Sequence, residues 1–204
     1  MMYRLDLIKK SLYYVCVFGM LVWTNPLQAQ HFKATAILGI NASQIDGDTL
    51  FGYNKAGITA GARLSYQNTG KIDVALEMLY SQRGSSVSIF NNDGGRRISL
   101  NYIELPIIVS IRDWYDIKKE YYKVRAEAGM SYGYLFDVST VGFDDQYFVQ
   151  NDLSWILGVG LNFSKSLGLT LRYTSSFTTL YKDPGNESKT MKGYFITLRT
   201  EFTF

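Results

Sequence analysis

From about residue 32 to the last residue, apolar or aromatic side chains recur at every second position in eight separate stretches. The last stretch, 194–204, sets Tyr194, Ile196, Leu198, Phe202 and Phe204 against Thr197, Arg199, Glu201 and Thr203, with Thr200 the one polar residue on the apolar side. Successive side chains of a strand point to opposite faces, so each stretch needs one apolar and one polar environment. The other seven are 32–41, 56–67, 72–83, 98–112, 121–135, 153–163 and 167–177. In 72–83 the alternation is nearly perfect: Ile72, Val74, Leu76, Met78 and Tyr80 oppose Asp73, Glu77, Ser81 and Arg83.

The connections alternate in length. Stretches 68–71, 113–120 and 164–166 are short, whereas 42–55, 84–97, 136–152 and 180–192 are longer and polar. Bacterial outer-membrane barrels have an even strand number from eight upward, short periplasmic turns and longer extracellular loops. A strand of about twelve residues, rising about 3.3 Å each and tilted near 40°, reaches about 30 Å, enough for an apolar band of about 25 Å. The pattern therefore predicts an all-β fold, an eight-stranded antiparallel up-and-down transmembrane β-barrel in the bacterial outer membrane, with both termini periplasmic. Aromatic residues add a girdle at each interface: Phe32, Tyr66, Tyr122, Phe163, Phe202 and Phe204 at one, Tyr80, Tyr132, Trp155 and Tyr194 at the other.

The stretch before residue 30 follows other rules. Arg4, Lys9 and Lys10 precede an apolar run over 11–23, and Ala29 supplies a small residue at a cleavage point. This predicts a secretory signal peptide over 1–29 and a barrel domain over 30–204. The run is short of the roughly 20 residues a membrane-spanning helix needs. Cys16, the single cysteine, falls inside it, so a mature chain would have no disulfide, thiol nucleophile or thiolate metal site. Its removal, with Arg4, Lys9, Lys10 and Asp6 going too, takes the formal charge from +3 to +1, which gives no footing for nucleic-acid binding. Mean hydropathy is −0.06, and 15% of residues are aromatic, a balance that excludes a helical membrane protein and suits a β-rich chain.

The polar faces carry the candidate chemistry. In the inward register lie Arg63, Asp73, Glu77, Arg83, Glu104, Arg125, Glu127, Arg172, Arg199 and Glu201, five arginines against five acids, drawn from every predicted strand except the first and sixth. An eight-stranded barrel has room inside only for its own side chains. Isolated buried ions cost several kcal/mol each, so these ten should pair into a closed, salt-bridged interior. Gly57, Gly61, Gly129, Gly133, Gly158 and Gly160 would leave space for the long side chains and allow strand curvature. Glu77 and Glu104, on adjacent strands, are the pair to consider for acid/base chemistry, but no activated nucleophile accompanies them. His31 is the single histidine, so neither a histidine metal site nor a triad can be assembled. No metal or cofactor is expected.

Residues 101–108, NYIELPII, resemble the Tyr-apolar-Glu-apolar-Pro strand of the PorT-like family of small outer-membrane barrels of Gram-negative bacteria. Residues 126–134, AEAGMSYGY, and the aromatic C-terminus are similar as well, and the likeness runs over about 31–204. The missing nucleophile points to a non-enzymatic barrel whose outer loops contact envelope proteins, and the resemblance, through one member tied to a protein-secretion and gliding apparatus, implies secretion-system partners. A small-solute or ion channel through the charged lumen is the alternative. A soluble barrel of lipocalin type would reverse the faces, with apolar residues inside.

Overall fold

The computed structural model describes residues 31–47, 52–67, 70–86, 96–142, 144–182 and 190–204. The expected signal peptide and Cys16 lie outside them, as do parts of the longer connections. Eight long strands form the barrel unit: β1 (Phe32–Asp46), β2 (Lys55–Gln67), β3 (Ile72–Ser86), β4 (Arg97–Asp116), β5 (Tyr121–Val141), β6 (Asn151–Asn162), β7 (Leu167–Ser176) and β9 (Thr190–Thr203). A two-residue strand, β8 (Tyr181–Lys182), pairs with the start of β9. Neighbours in sequence pair antiparallel, and β1 pairs with β9 from Thr35↔Thr203 to Asp46↔Lys192, which closes the sheet into a barrel.

The parity of the side chains is that of a membrane barrel. Leu38, Met78, Ile107 and Val159 are 67%, 63%, 59% and 60% exposed, whereas Arg63, Glu77, Arg172 and Arg199 are no more than 3% exposed. Apolar residues therefore cover the outside and charged ones fill the inside, the reverse of a lipocalin-type barrel.

The strands are longer than the alternation indicated, chiefly at the end carrying the long connections. β4 has 20 residues and β5 has 21. At about 3.3 Å per residue and a tilt near 40° such strands reach about 50 Å, well beyond an apolar band of about 25 Å. Above the band the facing rule inverts. Ile45, Ile98, Leu100, Tyr102, Leu135 and Met191 are buried together with Phe148, Leu180 and Tyr181, which come from the connections after β5 and β7. Phe136 is an extra residue in β5, because Tyr102 faces Leu135 while Asn101 faces Asp137. This bulge changes the parity of β5, so that Val138 packs against the apolar cluster. The connection after β7 is tied in by main-chain bonds, Val149 N–H to the Leu180 carbonyl (2.9 Å) and Leu180 N–H to the Met191 carbonyl (2.8 Å). An apolar cap thus lies across one end of the charged interior.

Candidate functional site: the charged interior and its two ends

The ten predicted inward residues separate into two ion-paired groups and an outlier. The larger group takes Arg63 from β2, Glu77 from β3, Arg125 and Glu127 from β5, Arg172 from β7, and Arg199 and Glu201 from β9. Glu77 accepts two guanidinium forks, from Arg172 (2.9 and 3.0 Å) and from Arg199 (3.0 and 3.0 Å). Glu127 accepts from Arg172 Nη2 at 2.7 Å and from Arg63 Nη1 at 3.1 Å. Glu201 binds Arg125 at 2.6 Å and Arg199 at 2.7 Å. Arg63 also donates to Ser65 and Ser110, and Arg125 to Thr170.

The sheet register and two glycines make this possible. Glu127, Gly158 and Arg172 stand side by side on β5, β6 and β7, as do Arg125, Gly160 and Thr170. A Cβ at Gly158 would come within 3.0 Å of the Glu127 side chain, and one at Gly160 within 3.4 Å of the Arg125 guanidinium. Glycine on β6 therefore lets side chains of β5 reach those of β7 across the intervening strand.

The smaller group joins Arg83 of β3 to Glu104 of β4 (2.6 Å) and Asp152 of β6 (2.7 Å). Asp152 corrects the expectation that the sixth strand stays out of the network: β6 starts at Asn151, two residues earlier than the alternation suggested. Its parity with Ser154 was the available signal. Asp152 is a hub, accepting from Ser154 (2.8 Å), Ser176 (3.1 Å) and Thr178 (2.7 Å) as well as Arg83. The Arg83 guanidinium lies between the Tyr102 and Phe195 rings, 4.5 and 4.3 Å from their centroids, so cation–π contact adds to the ion pairs. Phe195 is inward and buried, an aromatic that the alternation does not mark, on the face of β9 shared by Thr197, Arg199 and Glu201.

Glu77 and Glu104, considered as an acid/base pair, are bound into different groups, each facing its own arginines. The outlier is Asp73, 3% exposed, whose Oδ1 makes no hydrogen bond and lies 3.9 Å from Arg112 Nε. Arg112, near the end of β4, was not counted among the inward charges; it donates to the Gly70 carbonyl (2.9 Å) and lies over the Tyr122 ring at 5.1 Å. Tyr122, expected at the lipid interface, here lines a cavity inside the short-turn end. Among the described residues, no cluster of His, Cys, Asp and Glu could hold a metal ion.

At the rim of that end, exposed pairs bridge neighbouring turns, Lys71 with Asp113 at 2.7 Å and Lys165 with Glu120 at 2.8 Å. The Lys165 hydrogen bond holds the Glu120 carboxyl below its ordinary value. Such exposed pairs contribute little stability.

A closed antiparallel barrel with an apolar exterior and a charged, paired interior defines an integral β-barrel of the bacterial outer membrane. The chain belongs to the outer membrane protein beta-barrel domain family, whose model matches residues 28–182. Among solved structures it is similar to Neisserial surface protein A, with a TM-score of 0.55 at 11% identity over 85% of this chain and 97% of that one. It is also similar to Ail of Yersinia pestis in complex with the heparin analogue sucrose octasulfate, with a TM-score of 0.47 at 13% identity over 84% and 99%. OprG of Pseudomonas aeruginosa gives a TM-score of 0.41 at 11% identity over 85% and 94%. No curated protein matches the chain.

Proposed function

We propose that this outer-membrane barrel is non-enzymatic, that its lumen is closed, and that it acts through its extracellular loops in envelope interactions or secretion-related assembly. The observation that carries the reading is the filling of the interior: paired Arg and Glu side chains occupy the middle of the barrel, and the apolar cap lies over one end. With the lumen occupied, the surfaces left for recognition are the two ends. The longer connections offer the larger one, and loops on a rigid scaffold are where binding specificity concentrates. The resemblance of residues 101–108 to the PorT-like strand favours partners of the secretion and envelope class.

The short connections belong on the periplasmic side, which puts both termini there and the apolar cap outside. The test is a pull-down from native outer membranes with the full-length protein and with the four long connections shortened. Shortening is expected to remove bound envelope proteins. An unchanged set of partners would count against action through the loops.

A further inference from the structure

The end of the barrel that carries the short turns contains a polar cavity of about 270 Å³, bounded by Lys33, Asp73, Arg112, Tyr122, Arg125 and Asn162, with the β6–β7 turn at its rim. Most polar groups around it are committed. Arg125 is bound to Glu201 and Thr170, Asn162 Nδ2 donates to the Tyr122 carbonyl at 2.8 Å, Tyr121 donates to the Phe163 carbonyl at 2.9 Å, and Lys165 is paired with Glu120. Three charged groups remain. The Asp73 carboxylate is buried and its Oδ1 accepts no hydrogen bond, Arg112 Nε standing 3.9 Å from it. Arg112 Nε is likewise without an acceptor, although its guanidinium is fixed by Gly70 and the Tyr122 ring. Lys33 makes no ion pair among the described residues and stands on β1 across the cavity mouth.

A buried carboxylate oxygen without a donor is costly, and the group that would relieve it must bring an N–H bond, best from an ammonium. The cations Lys33 and Arg112 call for the opposite, an anionic oxygen. We propose that this cavity binds a small zwitterion, with a primary ammonium directed to Asp73 and a carboxylate or phosphate a few bonds away directed to Lys33 and Arg112. The volume suits a group of amino-acid or phosphoethanolamine size. A simple anion would meet the Asp73 charge, and a simple cation would meet Lys33 and Arg112, so neither half alone satisfies the site. This site stands independently of the loop-binding reading above, since it lies at the other end of the barrel.

The experiment is calorimetric titration of the full-length protein in phospholipid nanodiscs with L-alanine and with O-phosphoethanolamine, against acetate, phosphate and methylamine. At least one zwitterion is expected to bind saturably, and the single-charge probes about tenfold or more weaker, because each loses one charge-assisted contact. Saturable binding of alanine points to a free amino acid as the source, and of phosphoethanolamine to a lipid headgroup. D73N and K33Q should each weaken the zwitterion about tenfold. Lys33 is exposed, so K33Q tests the site without disturbing the buried network. No saturable binding of either zwitterion, binding of acetate or phosphate as tight as theirs, or binding unmoved by both substitutions would overturn the proposal.

Discussion

Glu77 faces two arginine forks and lies 3.5 Å from a third arginine, Arg63, while the group around it holds four arginines (Arg63, Arg125, Arg172, Arg199) and three glutamates (Glu77, Glu127, Glu201). The group therefore carries one excess positive charge, and the Arg83–Glu104–Asp152 group one excess negative charge. Removing an acid from the larger group worsens its imbalance, whereas removing one arginine restores neutrality. E77Q is expected to destabilise the folded barrel by about 3–5 kcal/mol, the cost of leaving buried charge without its partner. R63M, which leaves three arginines with three glutamates, should cost less than about 2 kcal/mol. Urea unfolding in lipid vesicles measures both, and equal costs would refute the charge count.

At this scale the inward positions were legible, since charges could only sit on the polar face of a clear alternation. The partners were not. That Glu127 meets Arg172 depends on the register of three strands and on Gly158 between them, which no single strand records.

Elements are legible where lipid is the neighbour and illegible beyond it. β3 was plain because Ile72, Val74, Leu76, Met78 and Tyr80 share one face, with only Ala75 and Leu79 as apolar residues on the other. Past the membrane band, Ile98, Leu100 and Met191 turn inward and pack on Phe148, Leu180 and Tyr181. In a window where apolar residues face both ways the alternation that marks a strand disappears, and the extra residue Phe136 shifts the parity again. The ends of β1, β5 and β9 next to the long connections therefore looked like loop, whereas the fourth stretch already reached Ile98. The cap gives a prediction of its own. L180A or M191A should cost about 2–3 kcal/mol of local stability by opening a cavity in the apolar cluster. Faster amide exchange at Val149 and Leu180, with the lower barrel unchanged, is the expected readout. Asp152 links this cap to the charged interior through Thr178, so D152N should speed exchange at the same two amides. Unaltered rates in all three variants would show that the cap does not hold the connection in place.

For the whole molecule, the exposed Leu38, Met78, Ile107 and Val159 require a lipid neighbour, and carbonate washing of membranes should leave the protein in the pellet. Release by that wash would rule out integral insertion. The proposed orientation, with the short connections periplasmic, is checked by cysteines placed singly in the long connections and in the 164–166 turn of a variant lacking Cys16. Labelling of intact cells by a membrane-impermeant reagent is expected for the former and not for the latter.

The central claim is that the paired interior closes the lumen. Single-channel recording of the full-length protein in planar bilayers tests it most directly. A baseline without steady current steps is predicted, because Arg63, Glu77, Glu127, Arg172, Arg199 and Glu201 occupy the cross-section that ions would need. Steady unitary currents whose size or ion selectivity changes on replacing Arg125 or Glu104 would contradict it and make the lumen a conducting path.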